Sequence, residues 1–342
     1  MNTENSHSKN GIKPLKIGSI EIRNPVILAP MSGVTDKPFR QVAYDFGAGM
    51  VVTEMVASEQ LLMERPDVLL RTENSDVDPF VIQLAGREAH WMGEGARMAE
   101  ALGADIIDIN MGCPAKQVTR GLSGSALMRD LDHALTLVEA TVNSVNVPVT
   151  LKMRLGWDDE TINAPELAKR AQDAGVRMVT VHGRTRCQFY NGTANWDLIS
   201  KVKEAVAIPV IANGDVTTLS DVSKMLKASR ADGVMIGRGA YGAPWFPGRV
   251  AHYLETGEDR GDPSLDKKRK AIIKHYNETI ELYGEHMGVR TARKHLGWYL
   301  EKLIAEPAEQ KKWRSRICRE EKPEKVLAYL EDCFEEKYEE AA

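Results

Sequence analysis

The 342-residue sequence predicts an α/β fold, a (β/α)₈ TIM barrel followed by a small all-α C-terminal domain. Short apolar runs rich in β-branched residues recur at intervals of roughly 25–35 residues. Stretches with apolar residues at helical spacing lie between these runs, and this alternation is typical of a parallel sheet covered by helices. Eight such units in about 220 residues match the size of a TIM barrel.

The predicted strands follow one another along the first 240 residues. They span 26–31, 50–55, 80–86, 106–112, 149–156, 178–184, 209–215 and 233–239. Helical spacing between them is clearest over 90–104, 165–176 and 219–229. Three glycines stand where helices commonly end, at Gly47, Gly103 and Gly175. A doubly wound sheet would share this alternation, but it usually has fewer strands and a glycine-rich G-x-G-x-x-G turn, which residues 29–33 lack.

After Pro244 the strand signal stops, and the remaining residues divide into a polar stretch and a helical region. We expect a flexible N-terminal extension, the barrel, a linker and a helical domain with an acidic end, over 1–14, 15–250, 251–270 and 271–342 respectively. Glycine and proline in the polar stretch, and helical periodicity beyond it, are the observations behind this division.

Composition favours a protein of the cytoplasm. The formal net charge is −4, no apolar run reaches the roughly 20 residues of a membrane helix, and the N-terminus is polar. The four cysteines are widely spaced and include no C-x-x-C pair, so neither a disulfide framework nor a metal site is expected. No exposed apolar repeat suggests an oligomer, and we expect a monomer.

Charge is unevenly distributed near the C-terminus. Residues 288–319 hold nine lysines and arginines against three acidic residues, whereas 320–342 hold nine acidic residues against three lysines. A basic block of this kind is either a solvated helix face or a surface that binds phosphates, and the residues alone do not separate the two.

Polar side chains stand at the carboxyl ends of the predicted strands, where the active sites of TIM barrels form. They are Gln83, Asn110, Lys152, Arg154, His182, Arg184, Asn213, Asp215 and Arg238. Glycines 214 and 237 lie in the loops after the last two strands, which often hold a phosphate through backbone N–H groups. Tight turns that need a positive φ are the alternative explanation for these glycines.

The strand-end residues together describe a site for a planar, phosphorylated heterocycle. A buried lysine or amide needs a partner, and a ring with donors and acceptors would satisfy Gln83, Lys152 and His182. Backbone amides of residues 30–32 would lie over the same ring. Flavin mononucleotide (FMN) fits better than pyridoxal phosphate, because several polar groups surround the ring instead of one Schiff-base lysine.

Cys113 follows the fourth predicted strand, between Gly112 and Pro114. A nucleophilic cysteine would need an activating base, and no histidine stands beside it in sequence. A general acid needs only a positioned S–H group next to the reacting carbon. We therefore interpret Cys113 as a proton donor, with a buried inert thiol as the alternative.

These motifs resemble those of the tRNA-dihydrouridine synthases, most closely the bacterial DusB-like branch. The resemblance covers essentially the whole chain and is carried by residues 28–40, 108–118, 151–157, 180–196, 209–215, 235–245 and 292–299. The most specific of these segments contains the Asn-x-Gly-Cys-Pro motif at residues 110–114.

The resemblance implies a role for each matching residue. The residues implied to bind FMN are Pro30, Met31, Ser32, Gln83, Lys152, His182, Asn213, Gly214, Asp215, Gly237 and Arg238. Cys113 would be the general acid. The residues implied to hold the uracil or the flavin are Asn110, Arg154 and Arg184, and those implied to contact tRNA are Arg290, Arg293 and Lys294.

The implied reaction is the reduction of specific uridines in tRNA to 5,6-dihydrouridine. NADPH or NADH would reduce FMN, a hydride would pass to uracil C6, and Cys113 would protonate C5. Two other functions fit parts of the sequence. An FMN-dependent barrel that reduces a free pyrimidine or another small molecule would leave the basic helical region without a role. A non-catalytic RNA-binding protein would leave the strand-end residues without one.

Overall fold

The computed structural model describes residues 14–341, so the extension expected over 1–14 lies outside the described residues except for Pro14. The strands are β1 (Leu15–Ile17), β2 (Ile20–Ile22), β3 (Val26–Leu28), β4 (Met50–Val52), β5 (Val56–Ala57), β6 (Phe80–Ala85), β7 (Ile106–Met111), β8 (Val149–Arg154), β9 (Met178–His182), β10 (Val210–Asn213) and β11 (Gly233–Ile236). Eight of them, β3, β4 and β6 to β11, are the parallel strands that the sequence predicts. Because β4 pairs with both β3 and β6, the sheet closes into a TIM barrel and confirms the predicted fold class.

Helices alternate with these strands and continue beyond them. They are α1 (Lys37–Asp45), α2 (Ser58–Leu62), α3 (Pro66–Leu69), α4 (Ala89–Ala101), α5 (Lys116–Arg120), α6 (Leu131–Val142), α7 (Ala164–Asp173), α8 (Trp196–Ala205), α9 (Leu219–Ser229), α10 (Phe246–Thr256), α11 (Leu265–Leu303), α12 (Pro307–Arg319) and α13 (Pro323–Ala341). The three glycines expected at helix ends, Gly47, Gly103 and Gly175, all have a positive φ. Within residues 14–341, no helix is both long and apolar enough to cross a membrane.

The hairpin of β1 and β2, which the sequence did not predict, closes the amino-terminal end of the barrel. Leu15, Ile17 and Ile22 are buried against the inward-facing residues at the starts of the barrel strands, such as Ile106. A Cβ at Gly18, in the hairpin turn, would lie 3.0 Å from Pro148, directly before β8. The opposite end, at the carboxyl ends of the strands, is thereby left for a site.

The linker expected over 251–270 is shorter in the structure. Helix α10 continues to Thr256 because Ala251 and Leu254 are buried on one face, and it ends at Gly257, whose φ is +79°. Helix α11 begins at Leu265, so only residues 257–264 lie between helices. Their polar composition resembles that of the neighbouring helix ends, which is why the sequence pattern overestimates the linker.

Helix α11 is two antiparallel helices joined at Gly284, where φ is +73° and ψ is 163°. In a single straight helix, His275 and Tyr299 would lie about 36 Å apart. Instead His275 Nδ1 lies 2.8 Å from the Tyr299 hydroxyl. A Cβ at Gly288 would lie 2.8 Å from Ile280 Cα, so the two halves pack closely from their turn onward.

The helical region is packed against the barrel. Phe39 of α1 contacts His275 and His295 of α11, with ring centroids 5.6 and 5.2 Å apart. Near the barrel mouth, Tyr241 stacks on Trp298 with centroids 4.0 Å apart and planes inclined by 10°. These contacts fix the position of the helical region relative to the mouth.

Candidate active site at the barrel mouth

A cavity of about 930 Å³ opens at the carboxyl ends of the barrel strands. Its lining includes every barrel residue singled out in the sequence: Pro30, Met31, Ser32, Gln83, Asn110, Cys113, Lys152, Arg154, His182, Arg184, Asn213, Gly214, Asp215, Gly237 and Arg238. Strand register brings them together, since Asn110 pairs with Lys152, and His182 pairs with Asn213. Neighbouring parallel strands therefore present their functional residues at one height.

The turn that carries Cys113 is held by side chains on both sides. Asn110 Oδ1 accepts hydrogen bonds from the backbone N–H groups of Gly112 and Cys113, at 3.1 and 3.0 Å. The Cys113 carbonyl accepts hydrogen bonds from the N–H and the hydroxyl of Ser125, at 3.1 and 2.8 Å. Burial raises the pKa of the Cys113 thiol above its ordinary value. The group at this position is therefore an S–H at neutral pH, as a proton donor requires.

Lys152 and His182 face the cavity in different charge states. Burial lowers the pKa of Lys152 to about 8, and its Nζ donates to Asn213 Oδ1 at 3.3 Å. Burial and the nearby cations Arg154 and Lys152 lower the pKa of His182 well below its ordinary value. At pH 7 the site therefore holds an ammonium group beside a neutral imidazole.

The loops after β10 and β11 present backbone donors to the cavity. The N–H groups of Gly214, Asp215, Gly237 and Arg238 donate to no acceptor among residues 14–341. Gly214 has a φ of +123°, and a Cβ there would lie 2.7 Å from the Cβ of Ala194. Glycine is thus required at this position. Unpaired N–H groups near the half-exposed guanidinium of Arg238 are suited to an anionic group.

Arg184 and Asp215 form a clamp beneath these loops. The Arg184 guanidinium is 2% exposed and donates to both carboxylate oxygens of Asp215, at 2.8 and 2.7 Å. It also donates to the carbonyls of Asn191 and Gly192. Ala194 N–H donates to Asp215 Oδ2 at 2.7 Å. Arg184 and the Asp215 carboxylate therefore shape the wall of the cavity, and only the backbone of Asp215 is free to meet a ligand.

Arg154, like Arg184, holds the wall of the cavity through hydrogen bonds to backbone carbonyls. Its Nε donates to the Gly112 carbonyl at 2.9 Å, and its Nη1 donates to the carbonyls of Thr185 and Phe189, both at 2.8 Å. This buried guanidinium joins the turn before Cys113 to the loop after β9. The geometry favours a positioning role for Arg154 over the direct ligand contact that the resemblance implies.

Several residues of the site were missed in the sequence. Asp108 and Thr150 are buried and are linked by hydrogen bonds to Gln83 of the lining, and Tyr190 and Tyr241 line the cavity. Asp108 could have been found from the sequence, because it lies two residues before Asn110 on a strand and the two side chains therefore point to the same face. The two tyrosines lie in loops, where no periodic pattern indicates direction.

The three cations expected to contact RNA lie outside the cavity. Arg290 is exposed, and Arg293 donates to the Glu320 carbonyl at 3.3 Å. Both line a cleft of about 250 Å³, together with His286, Val289 and Glu321. Lys294 is partly buried beside the carboxylates of Asp36 and Glu54, which counteract the lowering of its pKa by burial. Its surroundings favour a role at the junction between the barrel and the helical region.

Comparison with known proteins decides the family. The family model described as dihydrouridine synthase matches residues 27–339. The chain belongs to the dihydrouridine synthase family. Among the relatives of this dihydrouridine synthase, a probable tRNA-dihydrouridine synthase of Rhizobium leguminosarum bv. phaseoli is 52% identical over 91% of this chain and 95% of the relative. The tRNA-dihydrouridine synthase B of Pseudomonas putida is 46% identical over 84% of this chain and 85% of that protein.

Solved structures agree with the fold of this dihydrouridine synthase. A 2-naphthoyl-CoA reductase superposes with a TM-score of 0.58 at 12% identity, covering 96% of this chain and 70% of that one. Histamine dehydrogenase from Rhizobium sp. 4-9 gives a TM-score of 0.55 at 14% identity, covering 79% of this chain and 51% of that one. At such low identity these likenesses concern the fold alone.

Proposed function

We propose that this chain is a flavin-dependent tRNA-dihydrouridine synthase, which reduces specific uridines of tRNA to 5,6-dihydrouridine. One observation carries the proposal: a protonated thiol, an ammonium group and several amides converge on one cavity in a chain of the dihydrouridine synthase family. The names of the curated relatives supply the substrate. The basic helical region, which a free pyrimidine would leave unused, is consistent with an RNA substrate.

The donor set of the cavity fits FMN. The phosphate would be held by the unpaired N–H groups of the loops at 214–215 and 237–238, with the Arg238 guanidinium beside them. The heteroatoms of the flavin ring would meet Gln83, Lys152 and His182, and Met31 would supply apolar contact. When bound and reduced by NADPH or NADH, FMN would supply a hydride to the uracil ring.

The residues of this chain would supply the proton and orient the base. Cys113 would donate its S–H proton to C5, since its raised pKa keeps the thiol protonated at neutral pH. Its thiolate would then be reprotonated from solvent before the next turnover. The amide of Asn110, fixed by the Cys113 turn, is within the same lining and would face the uracil edge.

Access of the substrate requires a change in the RNA. A uridine stacked in a folded loop cannot enter the cavity, so the target base would have to be splayed out. The exposed guanidinium of Arg290 and the cleft that it shares with Arg293 would bind backbone phosphates of the remaining tRNA.

Substitution Cys113→Ala tests this function. We expect the variant to keep bound FMN and NADPH oxidation, while dihydrouridine formation in unmodified tRNA falls by about 100-fold or more, because the proton donor is lost. Cys187→Ala, at an exposed thiol outside the cavity, is the matched control and should be fully active. Full activity of Cys113→Ala would refute the proton-donor assignment. Turnover of free uracil but not of tRNA by the wild-type protein would refute the proposed substrate.

A further inference from the structure

Asp108 is a buried carboxylate that the proposed chemistry does not use. It lies on β7, two residues before Asn110, and is 3% exposed. Its side chain is absent from the cavity lining, so it has no direct access to a ligand. Burial raises its pKa, while hydrogen bonds from Thr150 and Gln83 and the nearby charge of Lys152 act in the opposite direction. A carboxylate is costly at such a position, which raises the question of what it does there.

A continuous chain of hydrogen bonds leads from Asp108 to Cys113. Gln83 Nε2 donates to Asp108 Oδ2 at 2.6 Å, and Asn110 Nδ2 donates to Gln83 Oε1 at 2.7 Å. Asn110 Oδ1 then accepts from the N–H groups of Gly112 and Cys113. The other oxygen of Asp108 accepts from the Thr150 hydroxyl at 2.6 Å. Each link is a hydrogen bond of ordinary or short length between buried or half-buried groups.

The two ends of this chain allow only one orientation of the amides between them. Backbone N–H groups only donate, so Asn110 must turn its oxygen toward the Cys113 turn and its nitrogen toward Gln83. Gln83 must then present its oxygen to Asn110 and its nitrogen to residue 108. A buried group at position 108 that cannot accept would leave the Gln83 nitrogen unpaired, and a flip of both amides would set donor against donor at the turn.

We propose that Asp108 is a positioning residue, which acts as a hydrogen-bond acceptor to fix the orientations of Gln83 and Asn110 and thereby the turn that carries Cys113. Its acceptor oxygen, and not its negative charge, is the property that the chain requires. Thr150 allows this distinction, because its hydroxyl is both a donor and an acceptor and suits a carboxylate or an amide at position 108. The catalytic consequence rests on the proposed function, whereas the effect on the thiol does not.

Substitutions at position 108 separate these properties. Asp108→Asn keeps an acceptor oxygen for Gln83 and places an NH₂ group toward Thr150. Asp108→Leu keeps the number and branching of the side-chain heavy atoms without any acceptor. Thr141→Val removes a buried hydroxyl bond in α6, away from the cavity, and is the control for a general loss of stability. Iodoacetamide labelling followed by peptide mapping measures the reactivity of Cys113, with the exposed thiol of Cys187 as internal reference.

We expect Asp108→Leu to increase the labelling rate of Cys113 by about tenfold relative to Cys187, because the loss of a buried hydrogen bond loosens the turn. Asp108→Asn and Thr141→Val should remain near the wild-type rate. An unchanged Cys113 rate in folded Asp108→Leu would overturn the proposal. Equal increases in the Leu and Asn variants would also overturn it, since they would assign the effect to charge.

Two further measurements complete the test. If Asp108→Leu does not fold by circular dichroism, Gln83→Leu breaks the next link, and an unchanged Cys113 rate in that variant would refute the chain. Dihydrouridine formation should fall in Asp108→Leu and stay near the wild-type rate in Asp108→Asn, which keeps the acceptor for Gln83. If wild type forms no dihydrouridine, the proposed function fails, and the labelling rates still decide the role of Asp108.

Discussion

The residues at the mouth of this barrel have their charge states set by burial. Lys152 remains an ammonium group at neutral pH only because its pKa, lowered to about 8, still lies above 7. His182 is neutral because burial is reinforced by nearby cations. Lys152 is therefore the cation of the site whose charge changes close to the physiological pH range. We expect ligand binding to change with pH through this group.

The affinity for FMN should depend on the protonation of Lys152. Above about pH 8 the fraction of Lys152 that is an ammonium group decreases, approaching a tenfold decrease per pH unit. We expect the dissociation constant for FMN to rise as this fraction decreases. Lys152→Met should bind FMN more weakly at pH 7 and show no step near pH 8. Fluorescence titration at pH 6.5 to 9.5 measures both, with the exposed Lys201→Met as the control. A step of equal size in Lys152→Met would assign the titration to another group.

Sequence reasoning found residues better than it found their roles. Gln83, Lys152 and His182 were predicted because parallel strands place their carboxyl ends at one edge, which is a property of topology. The roles of Arg154 and Arg184 could not be predicted in the same way. Their partners include backbone carbonyls of the loop at 185–192, and the path of that loop is not encoded by any periodic pattern.

At the level of elements, strands were easier to predict than the turns between helices. The continuous apolar runs of the barrel strands identify them because both faces are buried. The reversal inside α11 was missed, since Gly284 stands in a stretch whose helical periodicity continues on both sides. A single glycine in such a stretch is compatible with either a continuous helix or a tight turn.

Gly284→Ala should therefore destabilise the helical region. The φ of +73° and ψ of 163° at this position belong to a backbone region that is essentially restricted to glycine. No atom lies within 4 Å of a Cβ built there, so the expected loss of about 1–3 kcal/mol comes from backbone strain alone. Thermal denaturation measures the change, and Glu285→Ala, at the next, exposed residue, is the control. Equal melting temperatures for the two variants would contradict the strained turn.

The junction between α1 and α11 should be sensitive to acid. Burial lowers the pKa of His275 to about 3 and that of His295 well below its ordinary value. Both nitrogens of His295 lack a partner among the described residues. On acidification these two histidines become protonated in the unfolded chain but stay neutral in the folded junction. Stability is therefore retained above about pH 6.5 and is lost progressively below it.

His295→Leu should reduce this acid sensitivity. The substitution removes one group that is protonated only in the unfolded state, so the slope of unfolding free energy against pH between about 6 and 4 should fall by up to 1.4 kcal/mol per pH unit. Stability at pH 7.5 should change little, since the ring of His295 makes no hydrogen bond with any residue that the structure describes. Urea denaturation at several pH values measures the slope. An unchanged slope would place the acid-sensitive groups elsewhere.

On the scale of the whole molecule, the two charge blocks near the C-terminus are partly paired with each other. Arg314 pairs with Glu301, Arg316 with Asp332 and Lys312 with Glu336, at 2.5, 3.0 and 3.4 Å. Helix α13 thus pairs with two cations of the basic block, Arg316 and Lys312, whereas Arg314 pairs with Glu301 of α11. The blocks were visible in the sequence, but their pairing depends on the antiparallel packing of α12 and α13.

The cations that remain available should carry most of the affinity for tRNA. Arg290 is exposed and forms no ion pair within residues 14–341, whereas Lys312 is paired with Glu336. We expect Arg290→Gln to weaken tRNA binding and to reduce the slope of log K against log salt by about one, as the loss of one phosphate contact requires. Lys312→Gln, which removes a cation already neutralised by its partner, is the control and should leave both nearly unchanged. Filter binding at several salt concentrations measures affinity and slope together. Equal losses of affinity in the two variants would mean that tRNA binding depends on the total charge of the helical region. The ion pairs between α12 and α13 would then not determine which cations contact the RNA.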